Sequence, residues 1–238
     1  MEWGVWQPVY LDIVRRLALN VEADRNATAL LTSLLRNIDP APILSRLRSR
    51  IHDHVVVVCG AGPSLERHLR ETTRMPELEG AVYVAADGAA TAFLEQDQNC
   101  DVLVTDLDGN SGDLKRIVQN GALPIVHAHG DNMDRVKQFV PTLREALGST
   151  QVEPTDRAFL WGGFTDGDRA CHIALHYVPR CLVLAGMDFG TMVGRWSKPD
   201  RAFHYRADDR KRIKLEIARE LVSALLAETD VPYTSSDE

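Results

Sequence analysis

The chain has 238 residues, with 27 Lys and Arg against 34 Asp and Glu, a formal net charge of -7 and 45% hydrophobic residues. That length suffices for one large core, and the acidic balance excludes a nucleic-acid binder that works through a bulk basic surface. No uninterrupted apolar segment is long enough to cross a bilayer and no basic start leads into an apolar stretch, so a cytosolic protein is expected, with neither nucleic acid nor membrane as a partner. A homo-oligomer is compatible with this composition. Cys59, Cys100, Cys171 and Cys181 form no C-x-x-C pair and read as reduced, small hydrophobes.

Along the chain, apolar spacing predicts helices over 9–19 and 27–35, a break at Asp39-Pro40-Ala41-Pro42, and a short helix over 43–50. The texture then changes. A β-branched run over 54–59 ends in Gly60-Ala61-Gly62-Pro63-Ser64 and leads into a helix over 65–71. The same alternation follows as strand 81–86 and helix 88–95, strand 102–105 and helix 112–120, then strand 124–128 and helix 133–147. A strand at 158–160, a helix over 167–177 and a strand over 181–185 repeat it, and a last helix spans 208–227. Such alternation implies an α/β fold: a three-layer, doubly wound, mostly parallel sheet of the Rossmann-like kind. Residues 1–50 read as an N-terminal helical extension and 51–238 as the α/β domain. The aperiodic stretch 186–207 is the expected functional loop.

Acidic residues at strand ends carry the chemistry. Three consecutive apolar runs finish in Asp87-Gly88, in Asp106-Leu107-Asp108-Gly109 and in His127-Ala128-His129-Gly130-Asp131. In an open α/β sheet ligands collect at the carboxyl ends of the strands, so these side chains are expected to converge on one crevice. Several carboxylates in one crevice repel each other unless a hard divalent cation such as Mg²⁺, carrying polyphosphate oxygens, sits among them. Asp106 and Asp108 lie two apart on an extended chain and project to the same side, while Asp131 and Asp134 form a further acidic turn. A zinc pair at His127 and His129 lacks a third soft ligand, which leaves His129 to reach a nucleotide or a metal-bound water.

Three loops could hold the anion. The Gly60, Gly62 and Ser64 turn opens a helix and can offer backbone N–H groups to phosphate. In Gly162-Gly163-Phe164-Thr165-Asp166-Gly167-Asp168-Arg169, the side chains of Thr165, Asp166 and Asp168 can hydrogen-bond a heterocycle while Arg169 addresses phosphate. Arg195 and Lys198 supply cations for a leaving phosphate.

Taken in order, Gly-Ala-Gly-Pro-Ser-Leu at 60–65, Ala-Asp-Gly-Ala at 86–89, Thr-Asp-Leu-Asp-Gly at 105–109, His-Ala-His-Gly-Asp-Asn at 127–132, Phe-Thr-Asp-Gly-Asp-Arg at 164–169 and Gly-Met-Asp-Phe-Gly at 186–190 resemble the archaeal 6-hydroxymethyl-7,8-dihydropterin pyrophosphokinase family. That family is similar in turn to thiamine pyrophosphokinases. The resemblance implies ATP-dependent, Mg²⁺-dependent diphosphate transfer to the hydroxymethyl group of a reduced pterin, releasing AMP, in folate or methanopterin biosynthesis. It further implies Asp106, Asp108 and Asp131 as catalytic metal ligands, with Asp87 a fourth ligand or the orienter of a metal-bound water. The triphosphate is then expected near Gly60 to Ser64 and Arg169, with Gly88, His129 and Asn132 also facing nucleotide, and the pterin near Thr165 to Asp168.

Other classes share parts of this pattern. Val102 to Asn110 also looks like the nucleophile motif of haloacid-dehalogenase-type phosphatases, but Gly130 to Asp134 follows it too closely to be their late acidic motif. A related glycosyltransferase-like enzyme, a thiamine pyrophosphokinase-like enzyme and a non-catalytic nucleotide-binding module are the remaining alternatives.

Overall fold

Val55-Val56-Val57-Val58-Cys59 is buried at every position, which is how a parallel strand covered on both faces reads. In the computed structural model, which describes residues 1–72 and 74–235, this run is β1 (Val55–Cys59). Before it come α1 (Trp3–Leu17), α2 (Val21–Leu34) and α3 (Pro40–Ile51). After it follow α4 (Leu65–Thr72), β2 (Val82–Ala86), α5 (Ala89–Glu95), β3 (Val102–Thr105), α6 (Ser111–Gln119), β4 (Leu123–His127) and α7 (Met133–Phe139). The chain continues with β5 (Leu147–Ser149), β6 (Ala158–Phe159), α8 (Asp166–His176), β7 (Cys181–Ala185), β8 (Met192–Val193), β9 (Tyr205–Arg206), α9 (Asp209–Glu228) and β10 (Tyr233–Ser235).

Among the described residues, eight strands form one sheet in the order β10-β7-β1-β2-β3-β4-β5-β6, and every pairing in it is parallel. The expected α/β sheet is therefore present. Alternate residues of β1 serve opposite layers: Val55, Val57 and Cys59 pack with α2, α4, α5, α6 and α7, while Val56 and Val58 pack with α3, α8 and α9. The strand order reverses beside β1, because β2 to β6 extend to one side and β7 returns on the other. A crevice opens outside the carboxyl ends at such a reversal.

Residues 1–50 are packed into both layers. Ala27 and Leu31 of α2 join one core and Ile43, Leu47 and Ile51 of α3 the other, while Trp6, Tyr10, Ile13 and Leu17 of α1 form a third cluster with Val152, Leu160 and Ile217. Asn20 and Asp39 cap α2 and α3 by accepting from the N–H groups of Ala23 and Ala41.

The expected helix over 133–147 is shorter. It ends at Phe139, a 3₁₀ turn spans Val140–Thr142, and Leu147 starts β5. Pro141 lacks the N–H that a helix interior needs, which explains the early stop. The loop over 186–207 contains the antiparallel β8–β9 pair, and β10 adds an edge strand beside β7. No helix among the described residues is long and apolar enough to cross a membrane.

Leu31 is fully buried between α2 and the sheet. Leu31→Ala should lower the unfolding free energy by about 2–5 kcal/mol, read by urea denaturation; a loss within 0.5 kcal/mol would mean that α2 is not part of the cooperative core.

Candidate active site

The turns after β1 and β7 lock together at the strand-order reversal. The N–H of Gly60 donates to the carbonyl of Ala185 at 2.8 Å, and that of Gly62 to the carbonyl of Gly186 at 2.9 Å. A side chain cannot be added at Gly62, where a Cβ would stand 2.0 Å from Oδ2 of Asp188 and 2.4 Å from the Gly186 carbonyl oxygen. Ser64 donates its N–H to Oδ2 of Asp188 at 3.1 Å and its hydroxyl to Oδ1 at 2.5 Å. The anion at the start of α4 is thus a carboxylate of the chain itself. Gly60 and Gly62 line the cleft beyond it, and Ser64 does not.

That cleft has a volume of about 360 Å³ and is floored by the carboxyl ends of the strands. Asp87 follows β2 with φ of 43°, its N–H donating to the Val104 carbonyl at 2.7 Å and its Oδ1 accepting from the Thr105 hydroxyl at 2.5 Å. Asp106 follows β3, and its Oδ1 accepts from the N–H of Asp108 at 3.1 Å. Asp166 is the first residue of α8, brought back over the sheet by the turn after β6. One carboxylate oxygen from each of Asp87, Asp106 and Asp166 lies within 4.8 Å of the other two. Three hard oxygen donors at that spacing fit a divalent cation such as Mg²⁺.

The electrostatics of these groups are uneven. Asp87 is 6% exposed, and its burial, with the charges of Asp106 and Asp108 nearby, pushes its pKa up to about 7. Burial and the same neighbours, Asp106 and Asp87, push Asp166 well above the usual carboxylate range. Burial would raise Asp106 too, but the hydrogen bond and charge of His129 overcome it and hold that group far below its ordinary value. His129 Nε2 stands 3.4 Å from Asp106 Oδ2. Without a cation, one member of the group carries the negative charge and its neighbours resist ionisation.

The structure separates the remaining carboxylates. Asp108 forms an ion pair with Arg135 at 2.5 Å and accepts from Lys198, so two cations already compensate it. Asp131 is exposed on the rim of the cleft and lies outside the group of three. Asn132 does not reach the cleft surface. Its amide donates to the carbonyls of Asp106 and His127, both at 2.8 Å, while its Oδ1 accepts from the N–H of His129 at 2.9 Å. It ties the β3 and β4 ends together and sets the position of His129.

Thr165, Asp166, Gly88 and Lys198 line the cleft, whereas Asp168, Arg169 and Arg195 do not. Asp168 closes the capping box of α8, accepting from the N–H groups of Phe164 at 2.5 Å and Thr165 at 2.8 Å and from the Thr165 hydroxyl. Arg169 is 0% exposed and donates to the Phe164 carbonyl at 3.0 Å and to Nε2 of His127 at 3.1 Å. Arg195 makes a two-pronged pair with Glu95, at 2.9 and 2.5 Å, and stacks over Trp196. A Cβ at Gly88 would meet the Trp196 carbonyl oxygen at 1.9 Å, so this glycine admits the loop that carries Lys198.

Two contributions escaped sequence reasoning. Asp24 of α2 is buried, accepting from Tyr10 at 2.6 Å, from Gln151 at 2.8 Å and from the N–H of Gly130 at 2.8 Å. It holds the His129-bearing turn from the helical extension. Arg210, Lys211 and Lys214 of α9 face the same cleft. A lone Asp in an amphipathic helix and basic residues on a charged one carry no local signal.

The model of the 6-hydroxymethylpterin diphosphokinase MptE-like family matches residues 29–194. The chain belongs to that family. It is 42% identical over 225 residues to the 6-hydroxymethyl-7,8-dihydropterin pyrophosphokinase of Pyrococcus furiosus, covering 94% of each chain. Proteins of the same name from Methanothermobacter thermautotrophicus and Methanocaldococcus jannaschii are 38% and 32% identical, over 97% and 98% of this chain and 98% and 99% of theirs. The resemblance carried by the six ordered motifs is thereby upheld.

Asp24→Ala would leave Tyr10, Gln151 and the Gly130 N–H without their buried acceptor. The expected loss is about 2–4 kcal/mol of stability, measured by urea denaturation. A variant as stable as the parent would remove Asp24 from the framework of the site.

Proposed function

We propose that the protein transfers the terminal diphosphate of ATP to the hydroxymethyl oxygen of 6-hydroxymethyl-7,8-dihydropterin and releases AMP, with Mg²⁺ held by Asp87, Asp106 and Asp166. The observation that carries the site assignment is the convergence of those three carboxylates in the cleft at the strand-order reversal. The names of the three full-length relatives support the acceptor and the reaction class.

In this reaction the acceptor oxygen bonds to the β-phosphorus, the bond from that phosphorus to the α–β bridging oxygen breaks, and the acceptor proton leaves to solvent or to a nearby base. A protein assists mainly by alignment and by compensating charge on the phosphoryl oxygens. The bound metal supplies an electrostatic clamp on those oxygens. Asp106 is kept ionised by His129 and so offers a charged oxygen at neutral pH. Asp87 and Asp166, whose ionisation is suppressed by burial and by Asp106, offer theirs once positive charge arrives. Lys198, anchored on Asp108, places an ammonium group at the edge of the cleft. Thr165 and Gly167 at the start of α8, with Met187 packed against Gly167 and Phe189 nearby in the chain, supply the apolar and hydroxyl-bearing part of the cleft lining to which we assign the pterin.

Asp106→Asn should reduce AMP release by about two orders of magnitude or more. Asparagine keeps the size of the side chain and its accepting oxygen, so the variant should still unfold in one cooperative transition although it gives up the stabilising contact with His129. Chromatography of AMP from ATP, Mg²⁺ and either the pterin or thiamine checks both the role and the acceptor. Turnover with thiamine alone, or pterin turnover undiminished by Asp106→Asn, would overturn the reading.

A further inference from the structure

Cations at a polyphosphate site must be both near the cleft and uncommitted, and most of the basic residues around this one are committed. Arg169 is spent on internal acceptors, Arg195 on Glu95, and Lys198 and Arg135 on Asp108. Arg210 donates to the Leu17 carbonyl at 2.9 Å. Lys211 and Lys214 differ. They lie one helical turn apart on the stripe of α9 that also carries Leu215 and Ala218, and all four line the cleft.

Among the described residues neither lysine stands within ion-pair distance of a carboxylate. The contact of Lys211 is the Ser197 hydroxyl, 3.3 Å from Nζ, and that of Lys214 is the face of Phe164, its Nζ 5.9 Å from the ring centre. Burial, reinforced by the charges of Lys214 and Lys198, pushes the Lys211 ammonium down from its ordinary pKa. An ammonium group withdrawn from water, with a second lysine one helical turn away, is unfavourable in the free protein and becomes favourable when an anion binds beside it. One divalent cation cancels only part of a triphosphate's charge, and two lysines lining the same cleft can meet the remainder.

We propose that Lys211 and Lys214 of α9 form the seat of the nucleotide's triphosphate, in the cleft that Asp87, Asp106 and Asp166 also line. The inference rests on the diphosphokinase reading for the identity of the anion. The seat itself follows from the placement of the two side chains.

The test is calorimetric titration of the full chain with ATP and Mg²⁺, and separately with inorganic triphosphate, in the parent, Lys211→Met, Lys214→Met and the double variant. Each single substitution should weaken both ligands about tenfold or more, while the melting temperature stays level or rises, the opposite of what a purely structural lysine would show. Arg212→Ala, on the exposed side of the same helix beside Asp209, should leave binding unchanged and controls for the net charge of α9. If Lys211→Met does not fold, Lys214→Gln alone and the charge-conserving Lys211→Arg carry the same comparison, with weak and retained binding expected. Affinities within twofold of the parent in the double variant overturn the seat. Lysine-dependent triphosphate binding without AMP release in the presence of the pterin would instead sink the diphosphokinase reading and leave the seat standing. Normal AMP release with an unchanged KM for ATP in the double variant would do the reverse.

Discussion

Three carboxylates with oxygens within 4.8 Å of one another set the constraint around which the rest of the molecule is arranged. Like charges at such separation in a partly buried crevice repel, and each must be pinned from its own element or the group disperses. Asp87 is pinned by a left-handed backbone turn whose N–H is fixed on the neighbouring strand and by the hydroxyl of Thr105. Asp106 is held through its own carbonyl by Asn132 and through its side chain by the N–H of Asp108 and by His129. Asp166 is delivered by the first turn of α8, whose start is locked by the Thr165–Asp168 capping box. The restraints on Asp87 and Asp106 come from adjacent strand ends and that on Asp166 from the start of a helix, so sheet register sets the spacing of the first two and α8 places the third.

The helical start is tied to the same constraint. Asp24 reaches from α2 to the N–H of Gly130 and so fixes the turn that carries His129, the residue that keeps Asp106 ionised. Tyr10 on α1 and Gln151 after β5 donate to the same carboxylate. Segments far apart in the chain therefore meet in a buried polar network around one carboxylate, an arrangement that specifies geometry.

How much of this was legible follows from the range of each signal. The sheet was, because β-branched runs such as Val55 to Val58 and the alternation of strand and helix are local patterns. Asp87 and Asp106 were legible as neighbours, since both end adjacent buried strands. The third partner was not: Asp131 and Asp166 each sit in an acidic turn after a strand, and only the path of the chain from β6 back over the sheet brings Asp166 into the group. Arg169 and Arg195 read as free cations because a sequence shows charge but not partners, and both proved to be engaged inside the protein. Strands β5 and β10 are three residues long, too short for any period to emerge, whereas β6 falls within the strand expected at 158–160.

The placement of positive charge explains why the two acids of one Asp-x-Asp motif differ. A cation in front of a carboxylate, as Lys198 and Arg135 stand to Asp108, satisfies it and competes with any incoming ion for the same oxygens. A cation behind, as the fully buried Arg169 stands to Asp166 and Asp106, lowers the cost of gathering negative charge yet leaves the oxygens turned toward the cleft. Arg169 can take that position only because its guanidinium finds carbonyl acceptors at Gly162 and Phe164 and a neutral imidazole at His127, whose burial next to the same arginine pushes it well below its ordinary pKa. Neutral acceptors are what this geometry requires, since a direct carboxylate partner would draw the arginine into an ion pair and remove the long-range compensation that the group of three depends on.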